Sequence, residues 1–211
     1  MTDLKDELER LERHYARLLE EHGDTPAAVQ QRDAASQERR MHRLCEIGDL
    51  TTARVLDFGC GTGHLLEVLR RDFGYTGAYT GYDLSQLHLD AAGRKFPDAR
   101  FERRDILADG IAERFDVALV NGVFNNRISD NWGFMTAATR VLFEACETGL
   151  AFNMLTSYVD YEDEGLYYAR PEDVFAFCKT ALSPFVTLRH DYRVKLSVIP
   201  FEFTIYVYRE R

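Results

Sequence analysis

The chain has 211 residues, a formal net charge of -9, 45% hydrophobic residues and 29% charged residues, the proportions of a globular protein able to bury its own core. Its negative field repels phosphate backbones, so nucleic acid is not expected as a partner. The opening segment MTDLKDELERLERHYARLLE is too charged for a secretory signal, no later apolar run reaches membrane-spanning length, and Cys45, Cys60, Cys146 and Cys178 form no CxxC pair. Membrane insertion, a disulfide framework and a metal site are therefore not expected, and reduced thiols point to the cytoplasm.

Leu4, Leu8, Leu11, Tyr15, Leu18 and Leu19 recur at helical spacing among charged residues, predicting an amphipathic helix that ends near Gly23. Asp24-Thr25-Pro26 breaks the pattern, and a second helix rich in Arg and Glu is expected from about Ala34 to Ile47. From Ala53 the texture changes. The apolar runs ARVLDFG, AYTGYDL, ARFERRD, FDVALVNG and GLAFNML alternate with HLLEVLRRDF, SQLHLDAAGRKF and a helical segment from near Trp132 to Cys146. Strands alternating with helices predict βαβ units and a mostly parallel sheet. A helix PEDVFAFCKTAL follows, then FVTLRHDY and FEFTIYVYRER. Only about eight residues separate these two strands, which predicts an antiparallel pair.

The strongest chemical signal is Val55-Leu56-Asp57-Phe58-Gly59-Cys60-Gly61-Thr62-Gly63-His64-Leu65. Glycine lets a turn tighten and approach a ligand closely, and free N–H groups at the next helix favour an anionic group. The spacing is G-x-G-x-G, and His64 stands where the dinucleotide fingerprint needs its third glycine. Asp83, in Tyr82-Asp83-Leu84-Ser85 at the end of the second strand, lies about 20 residues further on, where a carboxylate can accept from both ribose hydroxyls. Ser85 is then expected to cap the following helix.

The run VLDFGCGTGHL resembles motif I of class I S-adenosylmethionine-dependent methyltransferases. The segments RMHRLCEIGDL, AFNMLTSYVDYEDEGLYYARPEDVFAFCKT and LRHDY extend the resemblance from about Gly23 to Arg211, toward a bacterial branch of small-molecule type. The resemblance implies S-adenosyl-L-methionine as cofactor. Asp57 would help hold its amino group beside the glycine loop, Asp105 would accept from its adenine amino group, and the backbone of Ile106 would read a ring nitrogen. The cofactor set so implied is Asp57, Phe58, Gly59, Gly61, Gly63, His64, Asp83, Leu84, Asp105, Ile106, Asn121 and Gly122. Members of this branch often accompany genes for surface polysaccharides, an association that points to a sugar or a polysaccharide precursor as acceptor and to O-methylation.

The strand FDVALV leads into Asn121-Gly122-Val123-Phe124-Asn125-Asn126-Arg127 at the carboxyl edge of the expected sheet, where open α/β folds bind ligands. The Asn/Asp-Pro-Pro-Tyr/Phe segment of many base-methylating enzymes is absent. Asn125 is expected near the methyl donor. Phe124, Tyr158, Tyr161, Tyr167 and Tyr168 are candidate walls of an acceptor pocket, and Gln37 and Arg40 candidates for the cofactor carboxylate. An oxygen acceptor needs a base; His190, next to Asp191 in LRHDY, is the candidate.

The expected fold is α/β, a Rossmann-like seven-stranded sheet with the last strand antiparallel and helices on both faces. Residues 1–50 would form an N-terminal helical lid, in which His14 and Tyr15 close over the site, and residues 51–211 the cofactor-binding domain. A homodimer fits this reading. The residues alone leave two other readings open: an NAD(P)-dependent oxidoreductase, which the glycine spacing and Asp105 oppose, and a non-catalytic cofactor-binding protein.

Overall fold

The computed structural model describes residues 4–25, 28, 34–195 and 198–210; Pro26 of the expected helix break lies outside them. Five segments form parallel strands; the four central ones are apolar and covered by helices, and the charged RFER segment forms the exposed edge. The five are β1 (Val55–Phe58), β2 (Tyr79–Asp83), β3 (Arg100–Arg103), β4 (Phe115–Val120) and β5 (Cys146–Thr156). A two-residue strand β6 (Tyr168–Ala169), then β7 (Phe185–Arg189) and β8 (Glu202–Tyr208) complete one sheet in the order β3-β2-β1-β4-β5-β8-β7. β8 runs antiparallel between β5 and β7, which puts the two C-terminal strands side by side as expected and wedges the last one inward. β6 is an eighth strand that the sequence did not signal. It pairs with Leu155 and Thr156 on the edge of β5 that β4 has already left.

Alternation along the strands splits the core in two. Leu56, Val120, Phe152, Met154, Phe203 and Ile205 face α6 (Asn131–Glu144) and α7 (Pro171–Ala181). Val55, Tyr79, Leu119, Ala151 and Tyr206 face α2 (Ala34–Cys45) and α3 (His64–Phe73). α4 (Gln86–Lys95) covers β2 and β3. The four-residue α5 (Ile106–Asp109) is too short for a periodic signal, and Asp105 caps it. α1 (Leu4–His22) lays Leu4, Leu8 and Leu11 against the first core. Among the described residues no helix is long and apolar enough to cross a membrane.

The sheet packs tightly where β2 passes the turn after β1. A Cβ at Gly81 would stand 2.7 Å from Cys60 Sγ and 2.8 Å from Phe101 Cδ1. Gly81→Ala is therefore expected to cost about 1–3 kcal/mol through overpacking, read as a lower denaturant midpoint at constant slope. An unchanged midpoint would show that the turn yields freely.

Candidate functional site

At the carboxyl end of β1 the chain turns through Gly59, Gly61 and Gly63, with φ of 78°, 53° and 80°, conformations that a side chain disfavours. The Gly59 and Cys60 N–H groups donate to the Tyr82 carbonyl at 2.8 and 3.1 Å, so the turn is stitched to β2. Close approach is needed as well. A Cβ at Gly59 would fall 2.3 Å from Val123 Cγ2, so the loops after β1 and β4 touch.

Asp83 lies at the mouth of this turn. Its Oδ2 accepts from the Gly61 N–H and its Oδ1 from the Ser85 N–H, both at 2.9 Å. Two backbone donors thus aim an acceptor-only group. Ser85 does occupy the N-cap position of α4, but its hydroxyl makes no cap bond; it meets the buried His88 ring at 3.0 Å instead. Beyond β3, Asp105 Oδ1 accepts from the Leu107 and Ala108 N–H groups at 3.0 and 3.3 Å, which fixes a second carboxylate along the same edge.

Asp57 sits deeper, 2% exposed, and accepts from the Tyr79 hydroxyl at 2.5 Å. Burial pushes its carboxyl up to about 7, the Tyr79 hydrogen bond pulls it back, and the charge of Asp83 adds to the rise. The Phe58 and Ile106 side chains point into the core, so these two residues can offer a ligand only backbone. Leu84 is half-buried and its carbonyl accepts from Arg103. His64 begins α3 with its ring near Glu67 and Glu38, at 3.5 and 3.8 Å.

The loop after β4 is held from below. Asn153, fully buried in β5, accepts from the Gly122 N–H at 2.7 Å through Oδ1. Its Nδ2 donates at 3.1 Å to Asn121 Oδ1 and to Glu202 Oε1. Glu202, fully buried in β8, pairs through Oε2 with Arg40 of α2. Burial raises the Glu202 carboxyl, while Arg40 and Asn153 draw it down. Arg40, expected to reach a ligand carboxylate, spends its Nε on this buried pair. Asn153 and Glu202 escaped the sequence reading. Their signal was a polar residue in each of two otherwise apolar buried strands, GLAFNML and FEFTIYVY, where burial demands a partner.

α1 straps across the opening. Glu7 accepts from the Ser129 N–H and hydroxyl, the Tyr15 hydroxyl accepts from Asn126 Nδ2 at 2.9 Å, and Asp24 beyond the helix accepts from the Thr62 hydroxyl at 2.5 Å. Burial raises the Tyr15 hydroxyl's pKa, the Asn126 hydrogen bond lowers it and the charge of Asp83 adds to the rise. The segment after β5 folds back over the same loop: Tyr167 N–H donates to Asn125 O and Arg127 N–H to Gly165 O, both at 2.9 Å.

Other candidates lie elsewhere. Phe124 is 1% exposed and packs edge-to-face on Phe134 and Phe152, so it is core and not pocket wall. Tyr158 and Tyr161 are largely exposed. Asn125 Oδ1 accepts from the Leu155 N–H at 3.1 Å. His190 follows β7, and with β8 interposed it stands two strand spacings, about 10 Å, from β5. Its ring bonds the Pro200 carbonyl and lies near Tyr158 and Phe203, with Nε2 buried and without a hydrogen-bond partner. Burial lowers its pKa, and the Pro200 bond and nearby carboxylates oppose the shift. Asp191 pairs with Arg189 at 2.8 Å on the surface and makes no His–Asp dyad.

Residues 55–144 match a family described as methyltransferase domain. A protein of Mycobacterium tuberculosis (strain H37Rv), named as a methyltransferase, is 36% identical over 157 residues, covering 72% of this chain and 90% of its own length. This chain belongs to the class I S-adenosylmethionine-dependent methyltransferases. Membership sets aside the nicotinamide reading. Among solved structures, a DhpI–SAH complex superposes with a TM-score of 0.66 at 18% identity, covering 97% of this chain and 98% of that one. Magnesium protoporphyrin IX methyltransferase of Synechocystis PCC 6803, with bound SAM, gives 0.58 at 13% identity over 100% and 86%. Both show the shared fold.

The raised Asp57 carboxyl gives a pH prediction. A carboxyl whose folded pKa lies above its ordinary value favours folding at low pH, and that contribution is lost progressively as pH rises from the ordinary value of 3.8 to about 7, with no further change above it. Asp57→Asn cannot titrate, so its Tm relative to the native protein is expected to climb as pH rises through this window. A difference independent of pH would place the Asp57 titration outside it.

Proposed function

We propose that this methyltransferase binds S-adenosyl-L-methionine across the carboxyl ends of β2, β1 and β4 and methylates a hydroxyl of a small polar molecule, of which a sugar or a polysaccharide precursor is the leading class. The observation that carries the reading is the aimed Asp83 carboxylate beside a glycine turn in which a Cβ at Gly61 would meet nothing nearer than His88 Cδ2 at 3.8 Å. An acceptor-only group there suits a ribose diol, and capped Asp105 suits an amino-purine edge. The start of α3 and the N–H groups of the turn suit the charged amino-acid end. The site's donor set thus fits the cofactor at each end.

When bound, the cofactor supplies an electrophilic methyl on a cationic sulfur. The chain's own contribution is alignment and exclusion of water, which in well-oriented systems removes roughly 7–11 kcal/mol from the barrier. Tyr15 and Asn126 close the roof, while Asn121 and Gly122 are held from beneath by Asn153. The α1 strap, tied down at Ser129, Asn126 and Thr62, narrows the approach to a small acceptor. Neutral amides and phenols around the β4 loop suit a polyol better than a strongly anionic acceptor, which would need paired cations. Burial lowers the His190 pKa, which suits a proton acceptor, and a place in the far wall of the acceptor site is the role that its position after β7 supports.

Calorimetry with S-adenosylhomocysteine tests the cofactor assignment. Micromolar binding is expected, about -8 kcal/mol, and Asp83→Ala is expected to weaken it by about 1–3 kcal/mol by removing a charged acceptor. Unaltered affinity in that variant would remove Asp83 from the site. Methyl-labelled cofactor incubated with neutral sugars and glycosides tests the acceptor. Labelled ether products are expected; label appearing only on amines would overturn O-methylation.

A further inference from the structure

The buried polar chain beneath the β4 loop does more than fill space. The Gly122 N–H can only donate, so it faces the Asn153 oxygen. Glu202, paired with Arg40, can only accept, so it faces Asn153 Nδ2. These two constraints come from opposite sides and demand the same orientation of the Asn153 amide. The second hydrogen of Nδ2 goes to Asn121 Oδ1. With its oxygen taken, the Asn121 side chain retains its N–H2 group as the part with which to meet a ligand. Glu202 thus sets the hydrogen-bond polarity of a residue two links away, on a loop that touches the glycine turn through Gly59 and Val123.

The strand order says which part of the ligand this donor meets. Asp83 and Asp105 follow β2 and β3, on one side of β1, and both are acceptors. Asn121 follows β4 on the other side. A ligand whose sugar and purine donors lie over β2 and β3 must extend its amino-acid end toward β4. There its carboxylate requires donors. We infer that Glu202, acting through Asn153, is a positioning residue that turns the Asn121 amide so that its N–H2 group serves the carboxylate of the S-adenosylmethionine amino-acid moiety. The inference rests on the cofactor reading above.

The test is calorimetry on the full chain with two probes, S-adenosylhomocysteine and methylthioadenosine, which lacks the amino-acid end. Glu202→Gln can turn an amino group toward Asn153 and scramble the relay. It is expected to weaken S-adenosylhomocysteine by about fivefold or more while leaving methylthioadenosine within about twofold. Asn121→Ala, on a half-buried loop, is expected to show the same split, and it keeps the test intact if Glu202→Gln does not fold. Because Glu202 acts through Asn121, the double variant is expected to bind no more weakly than Asn121→Ala alone. Equal losses on both probes, no loss, or additive losses in the double variant would overturn the relay. Failure of the native chain to bind either probe would instead remove the cofactor reading itself.

Discussion

Two loops from neighbouring strands meet through a single valine side chain with no room for a second, and the rest of the candidate site depends on that contact. Gly59 lies against Val123 so closely that one added carbon has no room. The contact brings the turn after β1 and the loop after β4 together over the middle of the sheet. The turn then delivers Gly61 N–H to Asp83, the other loop presents Asn121 and Gly122, and the crevice between them is defined by backbone rather than by mobile side chains. Backbone geometry of this kind is cheap to keep once folded and costly to alter, which suits a site whose work is alignment.

Such a crevice needs support from beneath, and the support is polar. Arg40, Glu202 and Asn153 run from α2 through β8 to β5 inside the protein. Removing one member of a buried ion pair strands the other, at a cost of about 3–5 kcal/mol. The polar chain therefore ties α2 to the sheet as it ties the β4 loop. Above the crevice the ties are of another sort. Glu7 holds the α1 strap through the Ser129 N–H and hydroxyl, Tyr15 through Asn126, and Asp24 through Thr62, while Leu4, Leu8 and Leu11 pack beneath it.

Much of the architecture was legible because its signals are local. Apolar runs separated by helical periods marked the five parallel strands, and the glycine turn with Asp83 and Asp105 stood out because each follows a strand end. What was illegible depends on pairing. Phe124 looked like a pocket aromatic and is core, since a single 3-10 turn rotates it inward onto Phe134 and Phe152. Tyr158 and Tyr161 looked like walls and face solvent. Ser85 stands at a cap and bonds a histidine ring instead.

Taken alone, the sequence determined the fold class, the antiparallel C-terminal pair and the edge of the sheet where the glycine turn, Asp83 and Asp105 gather, because hydrophobic period and turn chemistry act over a few residues. Tertiary structure decided the lateral order of the last strands, and with it the fate of His190. By entering between β5 and β7, β8 moves that ring two strands outward and brings Glu202 beside Asn153 and Arg40. These partners lie 49 and 162 residues from Glu202 along the chain. No local pattern encodes such a meeting; only burial, which leaves a charge no alternative but to find its partners, brings it about.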